Sequence, residues 1–411
     1  MTVALAALGS ADAARRAGVA RTPSFDLSSR AAVARYLLSV GVDPRGVVVQ
    51  RGVRNYAGPR CPGTGWTCTV ARRVIQIATA GVNEFECSPA PRLAQPMRCE
   101  IVQVSSTGEN SARCYERSDE GSTADQHCTV EQTNTAGTNR VHVEQTVQQQ
   151  VKPPQRAAQQ ARVTQTNGAG DSVSEIQQAV AQQLGRASGG TQRQDADQRA
   201  VVEQHSTTGA NQSLVGQSLA EDATSSAALV RQMQIASDID PKTPMNTSAQ
   251  IEQSSREGAN TSQLTQTHRL FSSVRGARTA TQTQGSRLGG LSTTVRQLSS
   301  GISRSEVRQA ERHALVAKQT GVLRGTVTQT QSGPVYCCST QGTNPRSRVD
   351  LDQISDLTAS SPGARQSTKV TGRCKTAGIC SVHQLVVIDG VQTTPKCGPQ
   401  ECVTTARGRR S

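Results

Sequence analysis

The chain has 411 residues, of which 34% are hydrophobic and only 2% aromatic, with one Trp, three Phe and four Tyr. Large rings supply much of a globular core, at about 150–250 Å² each, so this composition excludes a conventional enzyme core of this size. What remains is disorder or a thin, repetitive core.

The formal charge is +14, from 45 basic and 31 acidic residues. Nearly all the basic residues are Arg. A high-GC genome writing Arg for Lys is one reading; attraction to an anionic polymer is the other. The charges read as scattered, with no dense basic run and no interleaved aromatics for base stacking, which argues against specific nucleic-acid binding.

Residues 1–14 carry a short apolar run, Val3 to Leu8, before Ala11-Asp12-Ala13, and read as a truncated signal peptide. No apolar stretch approaches the ~20 residues of a membrane-spanning helix. Residues 15–70 are expected to form an amino-terminal cap, with a short amphipathic helix over Ser29 to Val40.

Six cysteines lie early (Cys61, Cys68, Cys87, Cys99, Cys114, Cys128) and six late (Cys337, Cys338, Cys374, Cys380, Cys397, Cys402). The spacings lack the CxxC knuckles of structural zinc sites. Two even-numbered clusters point to disulfides within each end and to an oxidising, extracellular setting, secreted or attached to a cell surface.

Residues 71–300 carry a repeat: apolar-x-Gln-x4-Gly-x-Asn-x3-apolar-x-Gln. The clearest copy is Ile251, Gln253, Gly258, Asn260, Leu264, Gln266. Others run Val202, Gln204, Gly209, Asn211, Val215, Gln217 and Val130, Gln132, Gly137, Asn139, Val143, Gln145. A fourth substitutes Ser172 for Asn, within Val163, Gln165, Gly170, Ile176, Gln178. In the earliest two, Cys takes the second apolar place: Val74, Gln76, Gly81, Asn83, Cys87 and Ile101, Gln103, Gly108, Asn110, Cys114, Glu116. A degraded copy is read at Gln284, Gly289, Val295 and Gln297.

An apolar residue and a Gln two apart share one face of a strand. Folding the unit at the Gly-x pair sets apolar against Gln twice, so each copy is a strand-turn-strand unit, either a hairpin or a β-arch. The Gly is expected to supply positive φ in the turn. One unit cannot stand alone, but copies stacked at ~4.8 Å would lay each Gln over the next in a side-chain ladder. A Gln-rich helix remains the rival for Gln148 to Gln160 and Gln177 to Gln183.

Cys87 and Cys114 hold equivalent repeat positions, as do Cys99 and Cys128. This register predicts Cys87–Cys99 and Cys114–Cys128, with Cys61–Cys68 closing a small loop around Gly63 and Gly65. The connections between copies lengthen and are expected to bulge as loops or short helices. A helical linker is expected over 301–325, from Ser303 to Gln319, and a Cys-rich β segment over 326–411.

The units resemble the curlin repeat of curli-type subunits, although the Gln-to-Gln distance is longer here and curlin has no disulfide ends. The chain is also similar overall to Gln-rich secreted repeat proteins of actinobacteria. The resemblance implies a curlin-like β-solenoid and amyloid-like stacking, with self-association as a partner mode. The expected fold class is therefore all-β: a repeat protein of strand-turn-strand rungs with disulfide-bonded ends and a few short helices.

No GxSxG, P-loop, HExxH or EF-hand loop is present. His142, His205 and His268 read as surface residues, and Asp350 with Asp352 as a solvated strand face. Trp66 either stacks on a sugar or caps the first rung. The expectation is a structural or adhesive protein, not an enzyme, with no cofactor. The alternative is a binding module for polysaccharide or anionic cell-wall polymer.

Overall fold

The computed structural model describes residues 3–4, 24–25, 46–88, 97–119, 123–150, 155–184, 192–225, 229–232, 247–255, 260–275, 281–284, 291–299, 303–318, 334–337, 348–359, 365–373, 379–397 and 401–409. The candidate helix at 29–40, Gly258, Cys338 and Cys374 lie outside them, as do the side chains of Cys337 and Cys380.

Among the described residues every regular element is a strand, without helix. Two large sheets face each other. One holds the first halves of the repeats, among them Arg73–Ala78, Met97–Ser105, Thr123–Asn134, Gln155–Asn167 and Gln192–Ser206. The other holds the second halves, among them Val82–Cys87, Glu109–Ser118, Thr138–Gln149, Ser172–Leu184 and Asn211–Ser225. Within each sheet these strands run parallel and bond to the rungs above and below, never to their own partner across the turn. That makes the unit a β-arch and the architecture that of a parallel β-solenoid. The second sheet has 12 strands, a length of roughly 50 Å at ~4.8 Å per strand.

The repeat register is the sheet register. Val74, Ile101, Val130, Val163, Val202, Ile251 and Val295 lie in one column. Cys87, Cys114, Val143, Ile176, Val215 and Leu264 form the facing column. From Val74 to Ile251 and from Cys87 to Leu264 the two columns belong to one continuous buried cluster.

The lengthening connections do not bulge away wholesale; much of the added length becomes strand. First-sheet strands grow from 6 residues at Arg73–Ala78 to 9, 12, 13 and then 15 at Gln192–Ser206. The widened part has its own core of Ala124, Val147, Ala157, Val180, Ala196 and Leu219. The rival helices at 148–160 and 177–183 are strand wherever they are described, because alternate Gln and small apolar residues face this second core.

The expected helical linker is also overturned. Ser303–Lys318 is a 16-residue strand aligned residue for residue with Asn260–Arg275. Its Val307 and Gln309 continue the columns of Leu264 and Gln266. The degraded copy was correspondingly out of phase: Val295 and Gln297 align with Ile251 and Gln253, the first half of a rung. Its turn is one residue shorter, since Ser303 takes the register place of Asn260, and that deletion hid the repeat.

The carboxy-terminal end abandons parallel stacking. Glu401–Arg409 pairs antiparallel with Arg365–Arg373 and Lys396–Cys397 pairs back on it. Val391–Thr393 folds antiparallel onto Ile379–Ile388 through Asp389 and Gly390, both at positive φ.

Candidate functional site: the buried amide ladders

The distinctive chemistry lies in the interior. Gln76, Gln103, Gln132, Gln165 and Gln204 are each fully buried. Each Nε2 donates once down the stack, to Gln50, Gln76, Gln103, Gln132 and Gln165 Oε1 respectively, at 2.7–2.9 Å. Each also donates across the core to a backbone carbonyl of the facing sheet, eight residues on: Glu84, Ser111, Arg140, Val173 and Gln212. Gln253 extends the column onto Gln204 at 2.7 Å. Both amide hydrogens and the carbonyl are thereby engaged, which removes the cost of burying a primary amide.

The facing column runs Gln145, Gln178, Gln217 and Gln266, each bonded to the one below at 2.7–2.8 Å above Gln145. An Asn ladder lies beside the turn: Asn55 donates to Asn83, Asn83 to Asn110 and Asn110 to Asn139, at 2.8–2.9 Å. Ser172 then interrupts it, and Asn139 makes to the Thr166 carbonyl the bond that Asn83 makes to Val104 and Asn110 to Thr133. Asn211 is buried in register with Ser172, and Asn260 follows it in the backbone register.

Several ladder residues escaped the sequence pattern. Gln50 begins the first column, and Gln384 bonds Gln353 at 2.8 Å near the far end. An outer ladder joins Gln126, Gln159 and Gln198, and Gln182 bonds Gln149. The signal was a constant offset: these Gln stand six residues before the first repeat Gln, or four after the second.

The turn glycines serve a different purpose from the expected one. Gly81, Gly108, Gly137, Gly170 and Gly209 are absent from the positive-φ residues. A Cβ on Gly137 or Gly170 would stand 1.7 Å from the carbonyl oxygen of the glycine one rung below, and one on Gly108 or Gly209 only 1.8 Å away. Close backbone approach between stacked turns therefore demands Gly. Positive φ occurs instead at Gly63 and Gly65, inside the small disulfide loop.

Cys61 is bonded to Cys68, Cys87 to Cys99 and Cys114 to Cys128, the pairing that the repeat register predicts, and Cys397 is bonded to Cys402. The second and third bridges cross the core between the two sheets. Higher up, the same two columns carry Val143 with Ala161, Ile176 with Ala200 and Val215 with Ala249.

One ladder position holds an acid. Glu116, 2% exposed, sits below Gln145 and accepts its amide at 2.6 Å, while its Oε1 is buried without a partner. Burial pushes its pKa up to about 8, against the opposing bond from Gln145 and the charge of Arg72. A protonated, neutral Glu fits an amide ladder better than a carboxylate does.

The outer faces carry charges in cross-rung pairs. Arg73 meets Glu100 at 2.7 Å, His142 meets Glu175 at 3.1 Å and Arg162 meets Glu203 at 3.4 Å. His142 also leans on Tyr115. Trp66 sits edge-on to Tyr56 at 6.3 Å, over the outer edge of the first rung. Among the described residues no group of three His, Cys, Asp or Glu is placed to hold a metal ion, and no helix is long and apolar enough to cross a membrane.

No family model matches the chain, and neither a curated protein nor a solved structure matches it. The fold and interior define its class on their own: a two-sheet parallel β-solenoid with amide-laddered rungs and disulfides near its ends.

Proposed function

We propose that this chain is a secreted structural protein whose solenoid acts as a rigid spacer or adhesive rod at a cell surface. The observation that carries the reading is that the amide ladders close within one chain. Gln50 through Gln253 form one hydrogen-bonded column, so stiffness needs no second copy. The disulfides are compatible with an oxidising, extracellular environment. The curlin-like character lies in the repeat chemistry; fibre growth by stacking of copies is the rival use of it.

Small-angle scattering and negative-stain electron microscopy of the oxidised chain, before and after long incubation, test this. Discrete rods of constant length support the spacer. Unbranched fibrils lengthening with time would replace it by curli-like assembly.

A further inference from the structure

In this fold sequence order is spatial order along the stack, because successive rungs are laid one upon another. Net charge summed over the stacked rungs, which begin at Val48, is then a charge profile along the rod. Residues 1–83 contain eleven Arg and three Asp, a net +8. Residues 361–411 contain eight Lys or Arg and two Asp or Glu, a net +6. Residues 84–360 contain 26 basic and 26 acidic residues, a net of zero. The whole +14 therefore belongs to the two terminal segments.

The described end rungs carry this asymmetry. Arg51, Arg54, Arg60 and Arg72 fall between residues 46 and 83, which contain no Asp or Glu, while Arg73 in the same span is paired with Glu100 of the next rung. At the other end, Arg365, Lys369, Arg373, Lys396, Arg407 and Arg409 lie among residues 361–411, whose acids are Asp389 and Glu401. Between them, cross-rung pairs such as Arg140–Glu109 and Arg162–Glu203 cancel charge on the outer faces. Ends separated by roughly 50 Å lie several Debye lengths apart at ~0.1 M salt, so each acts independently. Like-charged ends also oppose end-to-end joining of copies.

We propose that the molecule is a bivalent bridge: each cationic end binds an acidic polysaccharide, and the neutral shaft holds two such polymers apart. This rests on the rod reading above. The amino-terminal end adds a sugar-compatible feature, the half-buried Trp66 in the exposed Cys61–Cys68 loop, whose edge contact with Tyr56 fixes the ring. A single indole beside spread-out arginines suits a saccharide better than the successive stacking platforms that single-stranded nucleic acid uses.

The test mixes the full-length oxidised chain with polygalacturonate, dextran sulfate, neutral dextran or duplex DNA, at 20 and 300 mM NaCl. Binding is followed by fluorescence polarisation and bridging by light scattering. Both acidic polysaccharides are expected to bind and to form growing particles at 20 mM, with affinity falling tenfold or more at 300 mM; the tighter of the two names the preferred acid group. Arg54→Glu with Arg60→Glu, or Arg407→Glu with Arg409→Glu, should keep binding yet abolish particle growth. The four changes together should weaken binding at least tenfold. Arg156→Glu with Arg199→Glu, the same charge change on the mid-shaft strands Gln155–Asn167 and Gln192–Ser206, should alter neither. Bridging by the single-end variants, an equal effect at mid-shaft, binding of neutral dextran, or tighter retention of DNA than of both polysaccharides would overturn the proposal. Scattering on the same samples separates this from failure of the rod itself.

Discussion

The lower rungs, Val48 to Asn134, and the upper rungs, Thr138 to Ser225, solve one packing problem in two ways. In both, the core columns are filled from two facing sheets. The lower strands are 3–12 residues long, and their facing columns are covalently joined at Cys87–Cys99 and Cys114–Cys128. The upper strands are 12–15 residues long and fill the same places with Val or Ile against Ala. They gain a second core and an outer Gln ladder, which begin at Ala124 and Gln126 respectively, on the last of the lower strands. The difference teaches that rung width and crosslinking are interchangeable: a short rung buries too little apolar area to hold itself closed, and a bridge constrains its unfolded state in compensation.

The largest expected effect comes from the feature both regions share. Gly137→Ala places a Cβ against the Gly108 carbonyl, where only backbone movement relieves the clash. A loss of more than ~4 kcal/mol is expected in denaturant unfolding, with the rungs on either side of 137 losing hydrogen-exchange protection. Gly216→Ala is the contrast, since its Cβ meets only the movable Gln177 side chain. An equal loss in both variants would show that stacked-turn approach is not what Gly137 provides.

Next comes the ladder. Gln165→Leu would remove at once the bonds to the Gln132 and Val173 carbonyls and the ladder bond from Gln204, whose amide keeps the Gln212 carbonyl. At ~1–3 kcal/mol for each buried unsatisfied group, partly offset by the added apolar contact, a loss of about 3–4 kcal/mol is expected in a urea titration. A change under 1 kcal/mol would mean that the amides are spectators to apolar packing.

Replacing the lower chemistry by the upper tests the comparison itself. Cys87→Val with Cys99→Ala copies the filling of the higher rungs without their width. The chain-entropy account assigns about 3 kcal/mol to a bridge of this loop size, and the loss should appear only in exchange protection of the lower rungs. Full retention of protection there would mean that the bridge adds nothing and that width is not what the upper rungs gain.

How much of this was legible follows the same division. The first Gln column, the Gly positions and the three early bridges could be read directly, because strand geometry converts a two-residue spacing into a shared face and the Cys positions recur in one register. The turn mechanism was misread, since Gly answers to two needs, positive φ and close approach, and only the neighbouring rung distinguishes them. The outer ladder at Gln126, Gln159 and Gln198 stands a constant six residues before the first repeat Gln, but in stretches that read as connections outside the strand-turn-strand unit. Beyond Gln266 a one-residue deletion in the turn broke the phase, and a run such as Ser303 to Lys318, rich in Glu, Arg and Ala, has the local preferences of a helix. Pairing along the stack overrides them.

Glu116 marks where the two regions meet, the one acid in the Gln145 column and the residue that closes its lower end. Its folded-state pKa of about 8 lies above the ordinary 4.5, so the folded chain keeps a proton that the unfolded chain releases. Its contribution to stability is therefore fully present below about pH 4.5, drains away as the pH rises, and levels off above about 8. Glu116→Gln supplies a neutral amide at every pH. It should raise stability at pH 7 by about 2 kcal/mol, using ~1.4 kcal/mol per pKa unit with a discount for relaxation. It should leave stability at pH 4.5 nearly unchanged, and flatten the slope between 4.5 and 8. Thermal melts of both chains across that range decide the matter. A parallel pair of curves would mean that Glu116 is ionised in the fold and that the ladder tolerates a charge at its base.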